Sequence, residues 1–345
     1  MNVDFIVVGR GLAGSTLSLK LVDAGYSIVS IDDPALSSCS KVSAGMINPL
    51  VFFRLTLAWR AKEAIAVARD FYTSVEERSG MSFFHQTGMG RVFGSQHEAD
   101  TWKKLCHDAN FQSHLGEPGS FEPGENIKAR FGAALVKTAG HLDTQTYLKA
   151  VTNLLSQRAT LLEEKFNAEE LHFSQDGVRY KAYSALGIIL SEGWKASECR
   201  WFGNLPFKPA KGESIVVRAE GLPDLPFSGG VFAIPIGDKL YKIGGTYEWG
   251  KLDETPSAHQ KEDLVKRLSN LISVPFELVQ HVAGIRPTIS DRRPLLGQHP
   301  EIDSLYIFNG LGTRGAMMAP LLAEEMTQLL LYKKAIPTEA SISRF

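Results

Sequence analysis

The chain has 345 residues, 37 of them Lys or Arg and 38 Asp or Glu, which leaves a formal net charge of −1. At roughly 100–200 residues per domain this length predicts two domains or at most three. The absence of a basic excess argues against generic nucleic-acid binding, and 44% hydrophobic with 22% charged residues excludes disorder, collagen-like repeats and a mini-protein scaffold.

The first residues, Met-Asn-Val-Asp-Phe-Ile-Val-Val-Gly, have neither the basic nor the long apolar region of a signal peptide and read as the first strand of a fold. The apolar run 5–8 is too short for a helix and suits a strand buried on both faces. Gly9-Arg10-Gly11-Leu12-Ala13-Gly14 follows, after which Leu12, Ala13, Thr16, Leu17, Leu21 and Ala24 recur at helical spacing until Gly25. A second apolar run, 26–31, ends in Asp32-Asp33 and completes a βαβ unit. The small-residue stretch 37–46 reads as a loop held close to a ligand or another element. An amphipathic helix is expected over 59–78, with Ala61, Ile65, Ala68, Phe71, Tyr72 and Val75 on one stripe. Short β-like runs near 89–93, a helix near 98–109 and a Gly/Pro-rich loop at 116–124 come next.

A helix over 144–157 precedes strand-like pieces at 160–162, 170–174 and 178–182. The fully apolar run 186–190 ends at Ser191-Glu192-Gly193, as the opening strand ends at glycine. Residues 206–250 are punctuated by Gly and Pro, with strands expected at 214–218, 231–235 and 240–244. A helix over 257–272 follows. The strand 304–309 leads into Gly310-Leu311-Gly312-Thr313-Arg314-Gly315 and a helix running to about Tyr332. Pro320, Glu324 and Glu325 interrupt the most apolar stretch, so no membrane span is expected. Cys39, Cys106 and Cys199 are odd in number and lack CxxC spacing, which argues against disulfides or a zinc site and for a reducing cytoplasm; no bound metal is expected.

The expected fold class is α/β. A Rossmann-like nucleotide-binding domain is assembled from 1–52, 140–205 and 276–345, and an α+β domain with a mixed or antiparallel sheet is inserted as 53–139 and 206–275. In the GxGxxG turn, Gly9 permits the tight turn, Gly11 lets the backbone of Gly11, Leu12 and Ala13 approach a pyrophosphate, and Gly14 allows close helix–strand packing. The helix N-terminus then faces the diphosphate. Asp32, 18 residues after Gly14, accepts the ribose hydroxyls, or Asp33 does if the strand ends one residue later. The motif alone does not separate FAD from NAD, and an NAD-dependent dehydrogenase would be colourless. Arg286 and Arg314 sit on turns that approach a ligand, where they either hold a substrate carboxylate bidentately or form structural ion pairs. The second glycine turn, Gly312, Thr313 and Gly315, opens a helix whose N-terminus can stabilise a reduced flavin. Phe52-Phe53, Phe83-Phe84 and Met317-Met318 read as core.

Asp4–Gly14, Ser43-Ala44-Gly45-Met46, Gly244-Gly245-Thr246, Ala283-Gly284-Ile285-Arg286-Pro287-Thr288 with Asp291 and Pro294-Leu295-Leu296-Gly297, and 310–320 occur in one order along the chain. In them the chain resembles the FAD-dependent oxidoreductases of the D-amino-acid oxidase superfamily, within it the glycine/sarcosine-oxidase-like branch. The resemblance implies a glutathione-reductase-type FAD domain and a substrate domain covering the flavin. It implies that Arg286 binds a substrate carboxylate, that Arg314 lies near it and the flavin, and that Ser43, Ala44, Gly45 and Met46 run past the isoalloxazine ring. Phe166, Glu192, Gly193 and Trp194 fall along the adenosine half, and Tyr247 is either a pocket residue or a surface aromatic.

Two positions depart from the pattern. Phe232 stands where glycine oxidases have a substrate-facing tyrosine. Ile285 stands near where covalent-flavin enzymes carry a cysteine, so FAD is expected to be noncovalent. The implied reaction oxidises a C–N bond beside a carboxylate, by hydride loss from the α-carbon to flavin N5. The imine hydrolyses, and oxygen or another acceptor reoxidises the flavin. A 2-hydroxy acid, a bulky modified amine such as one on tRNA, and a flavin-binding subunit of a larger dehydrogenase are the alternatives. The oligomeric state is left open.

Overall fold

Successive side chains of the strand Asn2–Val8 enter two different apolar layers: Phe5 and Val7 pack among helices, Ile6 and Val8 on the opposite face. Burial on both faces calls for parallel neighbours joined by crossovers. The computed structural model, which describes residues 1–36 and 38–345, has that arrangement. Ile28–Asp32 and Tyr183–Leu190 flank Asn2–Val8 in parallel, and Thr160–Glu163 extends the sheet beyond Ile28–Asp32. The far edge of Tyr183–Leu190 is divided. Its first residues pair antiparallel with Gly177–Tyr180, and its last three pair in parallel with Leu305–Asn309, which carries Leu295–Gln298 antiparallel.

Four helices, Leu12–Asp23, Ala61–Ser79, Thr144–Ser156 and Gly315–Tyr332, close one face of this sheet around a shared core. Gly315–Tyr332 contains Pro320, which has no N–H to donate to the carbonyl of Ala316 one turn earlier. The Tyr72 hydroxyl, buried on Ala61–Ser79, donates to that carbonyl at 2.7 Å. A sequence feature that would otherwise leave a buried acceptor unpaired thus locks two helices together.

The second sheet is built on Ala210–Ala219. Phe276–Arg286 pairs antiparallel along its length, with a register shift between Val216 and Val217. On the other side lie Leu240–Gly244, Phe232–Pro235 and Phe227–Ser228, then Met89–Val92 in parallel, then Ala133–Val136 and the edge strand Leu115–Pro118. Ala258–Leu271 lays Leu264, Leu268 and Leu271 on this sheet. Residues 276–286, grouped with the first sheet in the sequence-level division, hydrogen-bond in the second. The helix expected at 98–109 runs from Gln96 to Leu105, begun by the Ser95 hydroxyl accepting the Glu98 N–H at 3.2 Å. Phe83, Met317 and Met318 are core and Phe52 packs against the core around Trp102, whereas Phe53 is exposed in the turn between Leu50–Val51 and Thr56–Leu57 and reaches a cavity rim. Among the described residues no helix is long and apolar enough to cross a membrane.

Candidate active site

The carboxyl ends of the parallel strands open on a cavity of about 630 Å³, roofed by the second sheet. Crevices at this end of an open α/β sheet are where such folds bind ligands. Gly9 adopts φ +93°, and a Cβ there would fall 2.5 Å from the Ser191 carbonyl oxygen. At Gly14 a Cβ would lie 1.8 Å from the Gly9 carbonyl oxygen, so only glycine lets the helix Leu12–Asp23 sit down on its turn. Gly14 therefore seats the helix, while Gly9, Gly11, Leu12 and Ala13 line the cavity. The Ser40 hydroxyl accepts the Leu12 N–H at 3.0 Å, a partner that no spacing in the sequence announces.

A second helix starts at the same place. Gly312, Thr313, Arg314 and Gly315 line the cavity, and a Cβ on Gly315 would lie 3.1 Å from Leu12 Cδ1. Two helix N-termini, each with unpaired amides and the positive end of a dipole, therefore converge.

Asp32 and Asp33 both line the wall. Asp32 Oδ1 accepts the Arg10 N–H at 2.9 Å, and Asp33 Oδ1 accepts the Ala35 N–H at 3.0 Å. Phe166, Glu192, Gly193 and Trp194 continue the same wall. Phe166 packs on Tyr180 with ring centroids 5.3 Å apart, and the Gly193 carbonyl accepts Asn309 Nδ2 at 2.9 Å. Burial pushes the Glu192 carboxyl up to about 7, against a smaller opposing pull from Lys195.

Ser43, Ala44, Gly45 and Met46 line the cavity farther on; Ser37, at the start of that stretch, lies outside the described residues. Lys242 Nζ donates to the Ser43 carbonyl at 2.9 Å, the Gly45 carbonyl accepts the Leu142 N–H at 2.9 Å, and Met46 pairs with His141. Burial pushes the Lys242 ammonium down to about 8. Cys39 also lines the cavity, with its thiol pushed up by burial.

The roof carries Arg286, Tyr247 and Phe232. Arg286 Nη1 donates to the carbonyls of Lys211 at 3.3 Å and Thr246 at 3.1 Å, and the guanidinium lies 5.1 Å from the centre of the Tyr247 ring. Its plane occupies the space above Gly212, where a Cβ would come within 2.0–2.1 Å of three guanidinium atoms. Arg314 donates to the carbonyls of Asn48 at 2.9 Å and Leu50 at 3.3 Å, and burial lowers its pKa. Among the described residues neither arginine has a carboxylate within ion-pair distance, so the structural ion pairs weighed for them do not form. The Phe232 ring covers Gly244, and Tyr247 stands partly exposed against Trp249, with its hydroxyl 3.3 Å from Thr288 Oγ1. Asn48, Gly212 and Lys242 escaped the sequence reading because each acts through a contact with a distant segment, whereas Ser40 lies in the stretch 37–46 expected to sit close to a ligand or another element.

The lining suits an extended anionic dinucleotide. A glycine turn without room for a Cβ and two helix N-termini fit a diphosphate, the carboxylates at the end of the second strand fit ribose hydroxyls, and Ser43–Met46 and the roof leave a face beside two free cations.

A family model described as FAD dependent oxidoreductase (DAO) matches residues 4–329. The glycine oxidase of Geobacillus kaustophilus is 24% identical over 343 residues, covering 92% of this chain and 90% of that protein. The tRNA 5-methylaminomethyl-2-thiouridine biosynthesis bifunctional protein of Caulobacter vibrioides is 29% identical, over 94% of this chain and 54% of that protein. The crystal structure of glycine oxidase from Geobacillus kaustophilus superposes with a TM-score of 0.84 at 21% identity, covering 97% and 96% of the two chains.

Proposed function

From a chain that belongs to the family of FAD-dependent oxidoreductases, we propose an enzyme that oxidises the C–N bond of an amino acid or related amine carboxylate. The observation that carries this reading is the pair of arginines, Arg286 and Arg314, on one cavity with no acidic partner among the described residues. A substrate carboxylate supplies the missing anion, and the planar guanidinium of Arg286 holds it in two parallel hydrogen bonds. Bound flavin supplies the two-electron oxidation. Phe232 and Tyr247 flank the carboxylate site with aromatic surface that excludes water from the adjoining C–H bond. The amine must lose its proton before reaction. No side-chain base is required for this, since solvent can take that proton as the substrate enters.

The cofactor residues follow the same reading. Gly9, Gly11, Leu12, Ala13, Gly312, Thr313 and Gly315 cradle the diphosphate, with Gly14 seating the helix behind it. Asp32, with Asp33 beside it, holds the ribose; Phe166, Glu192, Gly193 and Trp194 border the adenosine half; Ser43, Ala44, Gly45 and Met46 run along the ring system. Residues 1–52, 140–205 and 287–345 then build the flavin part, with 53–139 and 206–286 as the substrate part. FAD is noncovalent: Ile285 offers no attachment atom, and burial pushes up the thiol of Cys39, which does line the cavity, disfavouring its thiolate. Oxygen or another carrier reoxidises the flavin, and the three free thiols fit a cytoplasmic setting.

The test is the visible spectrum of purified protein, followed by anaerobic addition of an amino-acid and amine panel. Bleaching of a flavin spectrum by an amine carboxylate, together with complete release of the flavin on acid precipitation, is the expected outcome. A colourless protein that cannot be reconstituted with FAD overturns the reading. A second reading, a bulkier modified amine, is favoured by the exposed aromatics Phe53 and Tyr247 on the cavity, the latter backed by Trp249, and by the Caulobacter relative. It predicts bleaching by an aminomethyl nucleoside and none by free amino acids.

A further inference from the structure

Away from the cavity, Cys106, His107 and Glu117 bring one ligand atom each within 4.8 Å of one another. Cys106 ends the helix Gln96–Leu105, and Glu117 lies on Leu115–Pro118, the outermost strand of the second sheet. Cys106 Sγ stands 3.3 Å from Glu117 Oε2, and His107 Nδ1 stands 3.6 Å from Glu117 Oε1. A tetrahedral zinc ion with bonds of about 2.3 Å to sulfur and about 2.0–2.2 Å to nitrogen and oxygen has ligand–ligand edges of about 3.4–3.6 Å. The thiol and the imidazole each approach an oxygen of the one carboxylate at about such a separation, and the three ligand atoms lie within 4.8 Å of one another. Rotation of the exposed His107 and Glu117 side chains can close the set on an ion.

We propose that Cys106, His107 and Glu117 form a zinc site that fastens the helix Gln96–Leu105 to the edge strand Leu115–Pro118. Thiolate, imidazole and carboxylate together favour zinc over magnesium or calcium, which take oxygen ligands. Three protein ligands leave the fourth position to water. Among the described residues the edge strand pairs with Ala133–Val136 alone, through an irregular register, and the ion would add to the hydrogen bond that Trp102 Nε1 already donates to the Gly116 carbonyl at 2.9 Å. The sequence contains no CxxC or HxxxH signature for it, because two ligands are chain neighbours and the third is ten residues on. Zinc binds sulfur as the thiolate, so the ion enters by displacing the thiol proton: the S–H bond breaks, an S–Zn bond forms, and one proton passes to the buffer per ion bound.

The experiment titrates the chelator-dialysed holoenzyme with Zn²⁺ against a chromophoric chelator, recording proton release and thermal midpoint. The side chains of His107 and Glu117 are 66% and 62% exposed, so His107→Ala and Glu117→Gln do not endanger the fold. The expected result is one equivalent bound, about one proton released, and a raised midpoint in the wild type. Each variant, and Cys106→Ser, should weaken binding at least about tenfold while flavin content and turnover stay unchanged. Zinc bound no more tightly by the wild type than by the variants, or without proton release, overturns the proposal.

Discussion

Substituting Gly212 with alanine tests the role of Arg286 without touching Arg286. The new Cβ would lie within 2.0–2.1 Å of three guanidinium atoms, and the flexible arginine side chain must swing aside. The Arg286 head is held by the Lys211 and Thr246 carbonyls through Nη1, which leaves its remaining N–H groups for a carboxylate. Each charge-assisted hydrogen bond is worth about 1.5–3 kcal/mol. Losing both, as in Arg286→Ala, should lower kcat/KM by about 10²–10⁴, and losing the alignment of one, as in Gly212→Ala, by about 10–100-fold. Arg286→Lys keeps the charge but not the fork and should fall between the two. The assay is steady-state kinetics with the substrate that bleaches the flavin fastest, with flavin content measured by absorbance in each variant. The loss should appear mainly in KM, because the carboxylate does not change charge during the reaction. If Arg286→Ala and Gly212→Ala keep full flavin and a kcat/KM within about threefold of wild type, the assignment of Arg286 is wrong.

Two further outcomes follow from buried polar groups. Tyr72→Phe strands the Ala316 carbonyl and should destabilise the protein by about 1–3 kcal/mol in urea unfolding. Pro320→Ala in that background restores the helix N–H to the same carbonyl and should recover part of the loss. Glu192 keeps its proton up to about pH 7 when folded, against an ordinary value of 4.5. Between those values the folded state holds more protons than the unfolded state, so stability falls as pH rises through this window. Glu192→Gln apoprotein should lack that fall in a series of thermal midpoints from pH 4.5 to 7, and an unchanged slope would show that Glu192 does not cause it.

The opening βαβ unit was legible because its determinants are local: four apolar residues, three glycines and an acid all lie within the first 32 positions. The apolar run ending at Leu190 and the terminal helix were legible for the same reason. The pairing of Phe276–Arg286 was not, since its first half is largely solvent-exposed and has no clear alternation, and its partner lies more than fifty residues away. Arg286 and Arg314 were recognisable as candidates from their glycine- and proline-flanked turns. The choice between ion pair and open cation was decided elsewhere in the chain, by where every carboxylate ended up. Phe53 misled for a related reason: its hydrophobicity is real, but a tight turn sends it to the cavity rim.

The chain enters the first sheet, leaves for the second, returns, leaves again and returns a last time. On a ribosome this order has a cost in time. Asn2–Val8 is made well before Tyr183–Leu190 and Leu305–Asn309, so that strand waits half-paired while the polypeptide between them is produced. Sheets closed by such distant segments assemble slowly and expose apolar edges meanwhile. The cavity is walled by residues within 8–53 as well as by residues within 309–317, so its two helix N-termini can meet only once the strand Leu305–Asn309 and the turn after it have been made.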